Sequence, residues 1–487
     1  MRLMREVPGA VGISYRNADR LLDNLELLDT EVHGLVIARH GKVAIEGYWA
    51  PYGPGQVHGC QSLSKTVTGI ALGAAIREGI LSLDDRLIDI FPEYRPLTEG
   101  KKYWDELKVR HIATMSAGMD TQPCVMDHDW IREFFETPIV HKPGTAYFYH
   151  SIGISMVGAC IREKTGLGLI DYLKPRVFDK IGIHAESLKW HCHEDGMENG
   201  SGGFVATAYD NALLMELYRR HGAWDGEQLL DPEWVDFALK AENPNVGGEA
   251  LYGGMIWVRK RCFVADGAMG QWGMLFPKED LVISITQTIS KPGADNGIRD
   301  AVYRFADDLQ PEPVKWTEEE TKSFENRIRR LCIPRPSYSE APHDRFPIDG
   351  KTLKITSGQA QFYANDLNIF QRRFEIKVND IGFEERDGNL VLTVTTPYGT
   401  QNCPVSLKGS RPVYTVREIT PNPAVTASVT GRWISRDSLE LEVRWLESCR
   451  VHVVRFTFDQ KGAKICTHRV PVGGFDVPDL QAEAVWA

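Results

Sequence analysis

The stretch that decides the reading is residues 58–81, HGCQSLSKTVTGIALGAAIREGIL. Its apolar positions Val67, Ile70, Ala71, Ala74 and Ala75 recur at helical spacing from Ser62 to Ile76, and Gly79 supplies a stop. Such a helix should bury a face, yet Ser62 and Lys65 stand three residues apart at its start. Positions i and i+3 share a face, so hydroxyl and amine can meet. A lysine kept from water loses proton affinity and becomes a base toward the serine. The helix N-terminus also offers free N–H groups to a developing oxyanion. The plainer alternative is a serine near an N-cap followed by a solvated lysine. A chain of this composition contains roughly one S-x-x-K match by chance, so the surroundings have to decide.

Outward from the helix, HGLVIARHGKVAIEGYWA (33–50) alternates around a His-Gly turn as a β-hairpin. Helical patterns recur over 151–165 and 208–220. LYGGMIWVRKRCFVA (251–265) and LVISITQT (281–288) read as strands, and GIRDAVYRFADDL (297–309) as a helix. Strands at both ends and helices between them predict an α+β unit over 1–310, with an antiparallel sheet closed by the two ends of the segment. The texture then changes. Over 311–350 a charged helix, TEEETKSFENRIRRL, is followed by the proline-rich connection IPRPSYSEAPHDRFP. Over 351–487, TLKIT, RRFEIKV, NLVLTVTT, PVYTVREI, SLELEVRWL and RVHVVRFTF read as short strands separated by turns, the pattern of an all-β sandwich or barrel.

A net charge of −10 without a Lys/Arg cluster argues against a nucleic-acid partner. No stretch approaches transmembrane length and the opening MRLMREVPGAVGISYRNADR lacks an apolar signal core, so no membrane partner is expected. Nine cysteines are scattered singly, without a CxxC pair, and suit a reduced, cytoplasmic protein. Cys60 reads as a small buried hydrophobe. HCHED (191–195) has zinc-ligand residue types but no second cluster at metal spacing, so neither a metal nor another cofactor is expected. ENGS (198–201) is a formal glycosylation sequon without a signal to go with it.

The segment SLSKTVTGIALGAAIREGILSLDDRLIDIFPEY resembles the nucleophile helix of serine β-lactamase-related enzymes, the group of class C β-lactamases and penicillin-binding proteins (peptidase S12-like). Four further segments are similar to that family in its order: VRHIATMSAGMD, KPGTAYFYHSIGISMVGACIREKTG, GSGGFVATAYDNALLMELYRRHGAWDGEQLLDPEWV and ADGAMGQWGMLFPKEDLVISIT. The resemblance covers about residues 30–305. It implies a β-lactamase/transpeptidase-like catalytic domain followed by a lipocalin-like barrel or sandwich. It also implies a serine hydrolase that forms an acyl-Ser62 intermediate on a small ester, amide or short peptide. Lys65 would be the proton partner and Tyr149 the second-motif acid/base, with Tyr147 the competitor if the register shifts. The backbone N–H groups of Ser62 and Ala268 would form the oxyanion hole, and Ser151, His150, Gly267, Gln271 and Trp272 would bind substrate.

The chain also departs from the β-lactamase pattern. Ser151 replaces the asparagine of the second motif, and Ala265-Asp266-Gly267 stands where relatives carry Lys-Thr-Gly or His-x-Gly. The A-x-G-x-x-G-Q segment matches esterase- and amidase-like relatives better. A penicillin-binding-protein-type thioesterase or peptidyl cyclase, a β-lactamase, and an inactive binding module that keeps the fold are the alternatives. Specificity is expected from the loops 119–140 and 186–200. The β-rich segment could lid the site, aid solubility or form a homodimer.

Overall fold

The computed structural model describes all residues except 1–2, 29, 124–128, 185–187, 194, 244–249, 290–292, 335–340, 362–376, 419–424, 449 and 471–477. The chain begins and ends its catalytic unit in one antiparallel sheet of seven strands, in the order Lys42–Tyr48, Glu31–Arg39, Leu281–Thr288, Gln271–Phe276, Phe263–Gly267, Trp257–Arg259 and Ala250–Tyr252. The hairpin turns at His40 (φ 54°) and Gly41 (φ 71°), two left-handed residues whose twist suits a two-residue hairpin loop. The strand Glu31–Arg39 is buried on both faces from its second residue onward. The helices Tyr15–Leu27 and Asp295–Asp307 share one core with the sheet. The helices Ser64–Arg77, Ser151–Thr165 and Ala208–Arg219 share a second, larger one.

The segment 251–265, expected as one strand, is three short strands. Gly253, Gly254 and left-handed Met255 (φ 62°) break the first from the second, and Lys260-Arg261 turn the second into the third. The strand Gln271–Phe276 lies inside a segment that sequence patterning treated only as a motif. The helix Glu318–Arg330 is capped by Thr317, whose Oγ1 accepts from Glu320 N. It packs on the catalytic unit through Phe324 and through Arg327, which faces Asp23 and Glu26 at 2.7 and 2.8 Å.

The C-terminal unit is a single ten-stranded antiparallel sheet that nearly closes on itself as a barrel. The end of the strand Gly399–Val405 reaches Val425–Trp433, the next-to-last strand at the other end, where Ser406 N donates to Val429 O (3.1 Å) and Gly431 N to Ser406 O (2.8 Å). Leu390, Leu392 and Val394 alternate inward, as a period-two strand requires. Asp380–Arg386, Gly399–Val405, Val425–Trp433, Gly462–Arg469 and Leu480–Trp486 are strands that patterning missed. Several carry charged, glycine or proline residues on the outer face, which blurs the alternation. Most of the expected strand RRFEIKV lies outside the described residues.

The helix Ser64–Arg77 is buried on every side through Ala75. Gly73 lets it lie against Trp234: a Cβ there would meet Trp234 Cδ1 at 2.3 Å. Alanine in a helix is intrinsically better than glycine by about 1 kcal/mol, but overpacking costs about 1–3 kcal/mol. Gly73→Ala is therefore expected to lower stability, read as a reduced urea midpoint at unchanged m-value.

Candidate active site

The strand His58–Gly59 leads into a 3₁₀ turn, Gln61–Leu63, before the α-helix begins at Ser64. Gln61 is buried and left-handed (φ 52°), a conformation non-glycine residues adopt at a cost and which here aims the next residue, Ser62, outward. Ser62 thus sits on the turn rather than inside the helix, and Lys65 in the first helical turn. Lys65 Nζ lies 3.0 Å from Ser62 Oγ and donates to the Ser201 carbonyl at 2.6 Å. It also sits 4.9 Å from the centre of the Tyr149 ring. The lysine is 3% exposed, and burial brings its pKa down to about 7. Tyr149 comes from the segment just before the helix Ser151–Thr165. Desolvation pushes its phenol up to about 12, against the pull of its hydrogen bond with Ser62. At neutral pH the set therefore holds an amine able to accept a proton and a phenol able to give one.

A cleft of about 450 Å³ opens over these atoms, lined by Ser62, Lys65, Tyr149, Ser151 and Ala268 among the anticipated residues. The others lie elsewhere. His150 is 2% exposed, and its Nδ1 accepts from Gly153 N (2.6 Å), which makes it the N-cap of the helix. Gln271 is buried and donates to Gln287 O at 2.6 Å. Trp272 supports the cleft from behind, its Nε1 donating to Asp266 Oδ1 at 3.0 Å. Gly267 packs on the turn that carries Ser62: a Cβ there would come within 2.1 Å of the Cys60 carbonyl oxygen. Cys60 itself is buried with its thiol pushed up to about 12, so it has no nucleophilic thiolate. Tyr147 is absent from the cleft lining, and its ring lies 6.1 Å from that of Tyr252.

Sequence reasoning missed Gln61, Gln122, Asn199, Ser201, Gly202 and Trp257, which also line the cleft. Gln122 Oε1 accepts from Ile152 N at 3.3 Å. The segment 199–202, noticed only as a sequon, is a tight polar loop. Asn199 Oδ1 accepts from Ser201 N (3.0 Å), Ser201 Oγ (2.7 Å) and Ser155 Oγ (3.2 Å), which aims the Ser201 carbonyl at Lys65. Gln122 and Asn199 do fall in the two loops from which specificity was expected. Asp266, the departure at the third motif, also lines the cleft, with Arg259 Nη2 donating to its Oδ2 at 3.2 Å. His193, from the HCHED segment, stacks on Trp130 at 4.4 Å.

An antiparallel sheet flanked by helices, with Ser-x-x-Lys at the head of a buried helix, defines a β-lactamase/transpeptidase-like fold. The Beta-lactamase family model matches residues 26–308, and the chain belongs to the β-lactamase family. The Yersinia enterocolitica β-lactamase is 29% identical over 126 residues, 25% of this chain and 31% of that protein. A lovastatin esterase of Penicillium rubens is 27% identical over 150 residues, 25% of this chain and 37% of the esterase. The chain thus matches about a third of the length of these relatives. Among solved structures, a Bacillus anthracis protein provisionally described as a 6-aminohexanoate-dimer hydrolase shares the fold. Its TM-score is 0.51 at 19% identity, over 63% of this chain and 87% of its own.

Two expectations follow from the geometry. An amine with a pKa of about 7 accepts a proton only when unprotonated, so kcat/KM should climb as pH rises through about 7, measured on an uncharged substrate. Gly267→Ala should push the strand off the Cys60 carbonyl and widen the gap between Ala268 and Ser62. Losing one oxyanion donor costs about 10²–10³ in kcat, and a fall of that order with a near-native circular dichroism spectrum is the expected result.

Proposed function

We propose that the protein is a serine hydrolase that acts on small, uncharged esters or amides through an acyl-Ser62 intermediate. The observation that carries this is the 3.0 Å approach of a desolvated Lys65 amine to Ser62 Oγ. Unprotonated Lys65 takes the Ser62 proton as Oγ attacks the substrate carbonyl carbon. The backbone N–H groups of Ser62 and Ala268 receive the negative charge that develops on the carbonyl oxygen. Tyr149, still a phenol at neutral pH, passes a proton to the leaving oxygen or nitrogen as its bond to carbon breaks. The proton held by Lys65 restores the phenol. Water then attacks the acyl ester by the same route and frees Ser62.

The uncharged preference rests on Asp266. Ala265 stands where relatives place a cation, and beside it the Asp266 carboxylate lines the cleft, held by its partners Arg259 and Trp272. Burial raises its pKa despite these partners. A substrate carboxylate gains nothing there. Ser151 likewise lacks the amide that would grip an acylamino side chain. The lovastatin esterase among the relatives supports ester chemistry in this family.

Recognition of a carboxylate by a cation contributes about 1.5–3 kcal/mol, or one to two powers of ten in rate. p-Nitrophenyl acetate or butyrate is therefore expected to be turned over with a higher kcat/KM than nitrocefin. Ser62→Ala should abolish both that turnover and labelling by a fluorophosphonate, and Lys65→Ala should cost about as much because the pair acts as one unit. Nitrocefin cleaved faster than the esters would overturn the uncharged preference. A wild-type protein left unlabelled by the fluorophosphonate would overturn the hydrolase reading in favour of an inactive binding module.

A further inference from the structure

The family model ends at residue 308, yet a turn of the C-terminal barrel reaches the back of the candidate active site. It joins the strands Ser438–Trp445 and Val451–Phe458. Leu446, at its start, is fully buried in the core of the catalytic sheet, among Val32, Trp49 and Tyr52 rather than with the barrel's own apolar residues. The next residue touches the catalytic unit twice. Its carbonyl accepts from Gly59 N at 2.8 Å, three residues ahead of Ser62. Its carboxylate, 6% exposed, pairs with Lys189 Nζ at 3.1 Å.

Gly59 and Lys189 belong to the outer strands of one small sheet. His58–Gly59 and Lys189–Trp190 both pair with Phe204–Ala206, which lies between them. The first strand runs into the Ser62 turn. The loop between the second and the third carries Ser201, whose carbonyl holds Lys65. The small sheet is further locked to the nucleophile helix, since Cys60 N donates to Phe204 O (2.8 Å) and Phe204 N to Ser64 Oγ (2.9 Å). Arg444, 7% exposed, reinforces the same region from the barrel. It pairs with Glu31, whose Oε1 lies 3.0 Å from His33 Nε2, while His33 Nδ1 lies 3.0 Å from His58 Nε2.

We propose that the barrel turn carrying Glu447 is a positioning element for the catalytic pair: by tying the strand of Gly59 to the strand of Lys189 it sets the distance between the Ser62 turn and the Ser201 carbonyl. The proposal rests on the Ser62–Lys65 reading. A contact that merely joined two domains would have no reason to engage both strands from which the catalytic groups hang. Glu447 and Lys189 are not among the residues lining the cleft, so their effect would pass through the strands. Loosening the tie would let the Ser201 carbonyl drift and water approach Lys65. The lysine would regain proton affinity, and the acid limb of the pH–rate profile would move to higher pH.

The test is the full-length protein with Glu447→Ala, with Lys189→Ala, and with both, assayed on p-nitrophenyl butyrate from pH 5 to pH 10. Folding is followed by circular dichroism and thermal melting. Each single variant is expected to lower kcat by about ten-fold with KM within about two-fold, as small misplacements of reacting groups do. Each should also raise the pH of the acid limb by about half a unit or more. The double variant should resemble the singles rather than their product, because both remove one tie. Variants that melt at lower temperature but keep the wild-type acid limb would overturn the proposal, leaving the turn a structural contact only. Should Glu447→Ala fail to fold, Lys189→Ala decides by the same two readouts, since Lys189 is partly exposed at 34% and belongs to the catalytic unit. Fluorophosphonate labelling of wild-type Ser62 runs alongside, so that absence of labelling rejects the hydrolase reading while intact labelling with unchanged variants rejects only the positioning role.

Discussion

An amine held out of water beside a serine hydroxyl is the constraint that organises this molecule. Lys65 in water would keep its proton near pH 10.5, and burial brings it to about 7. Each unit of that shift corresponds to about 1.4 kcal/mol, so the site is maintained against a bias of several kcal/mol. The sign is specific. Between about pH 7 and 10.5 the unfolded chain binds a proton that the folded one does not, so the penalty is largest at low pH and fades as pH rises through that window. The surrounding core sustains this. The helix that carries Lys65 has no solvent face for its first three turns, and its Gly73 lets an indole close one side.

The second ingredient is backbone rather than side chain. Left-handed Gln61 presents Ser62 at a turn, and Gly267 brings the third-motif strand onto the Cys60 carbonyl. Ala268 therefore borders the same cleft as Ser62 although about two hundred residues separate them. Against this shared framework the charges differ from those of β-lactamase-type motifs. Asp266, braced by Arg259 and Trp272, puts a carboxylate in the cleft wall beside Ala265.

The barrel is joined to this site by more than a linker. The helix Glu318–Arg330 lies on the catalytic unit, and the turn beginning at Leu446 enters its core. The strands that carry Ser62 and Ser201 thus take part of their support from residues more than two hundred positions later in the chain.

The hairpin, the long helices and the all-β character of the C-terminal segment were legible in the sequence because each is a local pattern, whereas Ser62, Lys65 and Tyr149 stood out only through five segments that together resemble one family. An alternation with period two and a capped apolar helix need no distant partner to be recognised. The cleft walls were not legible. Asn199 and Ser201 looked like a sequon because nothing nearby tells a reader that the Ser201 carbonyl will meet Lys65. Among the second- and third-motif positions, burial decided which face the cleft: His150 turned inward to cap a helix and Gln271 to satisfy a sheet, whereas Ser151 remained in the lining. Local sequence determined which groups could react and roughly where the strands and helices lie. Only the tertiary structure decided which polar atoms converge and which amine is dried, because desolvation and hydrogen-bond direction depend on segments that the chain brings together from far apart.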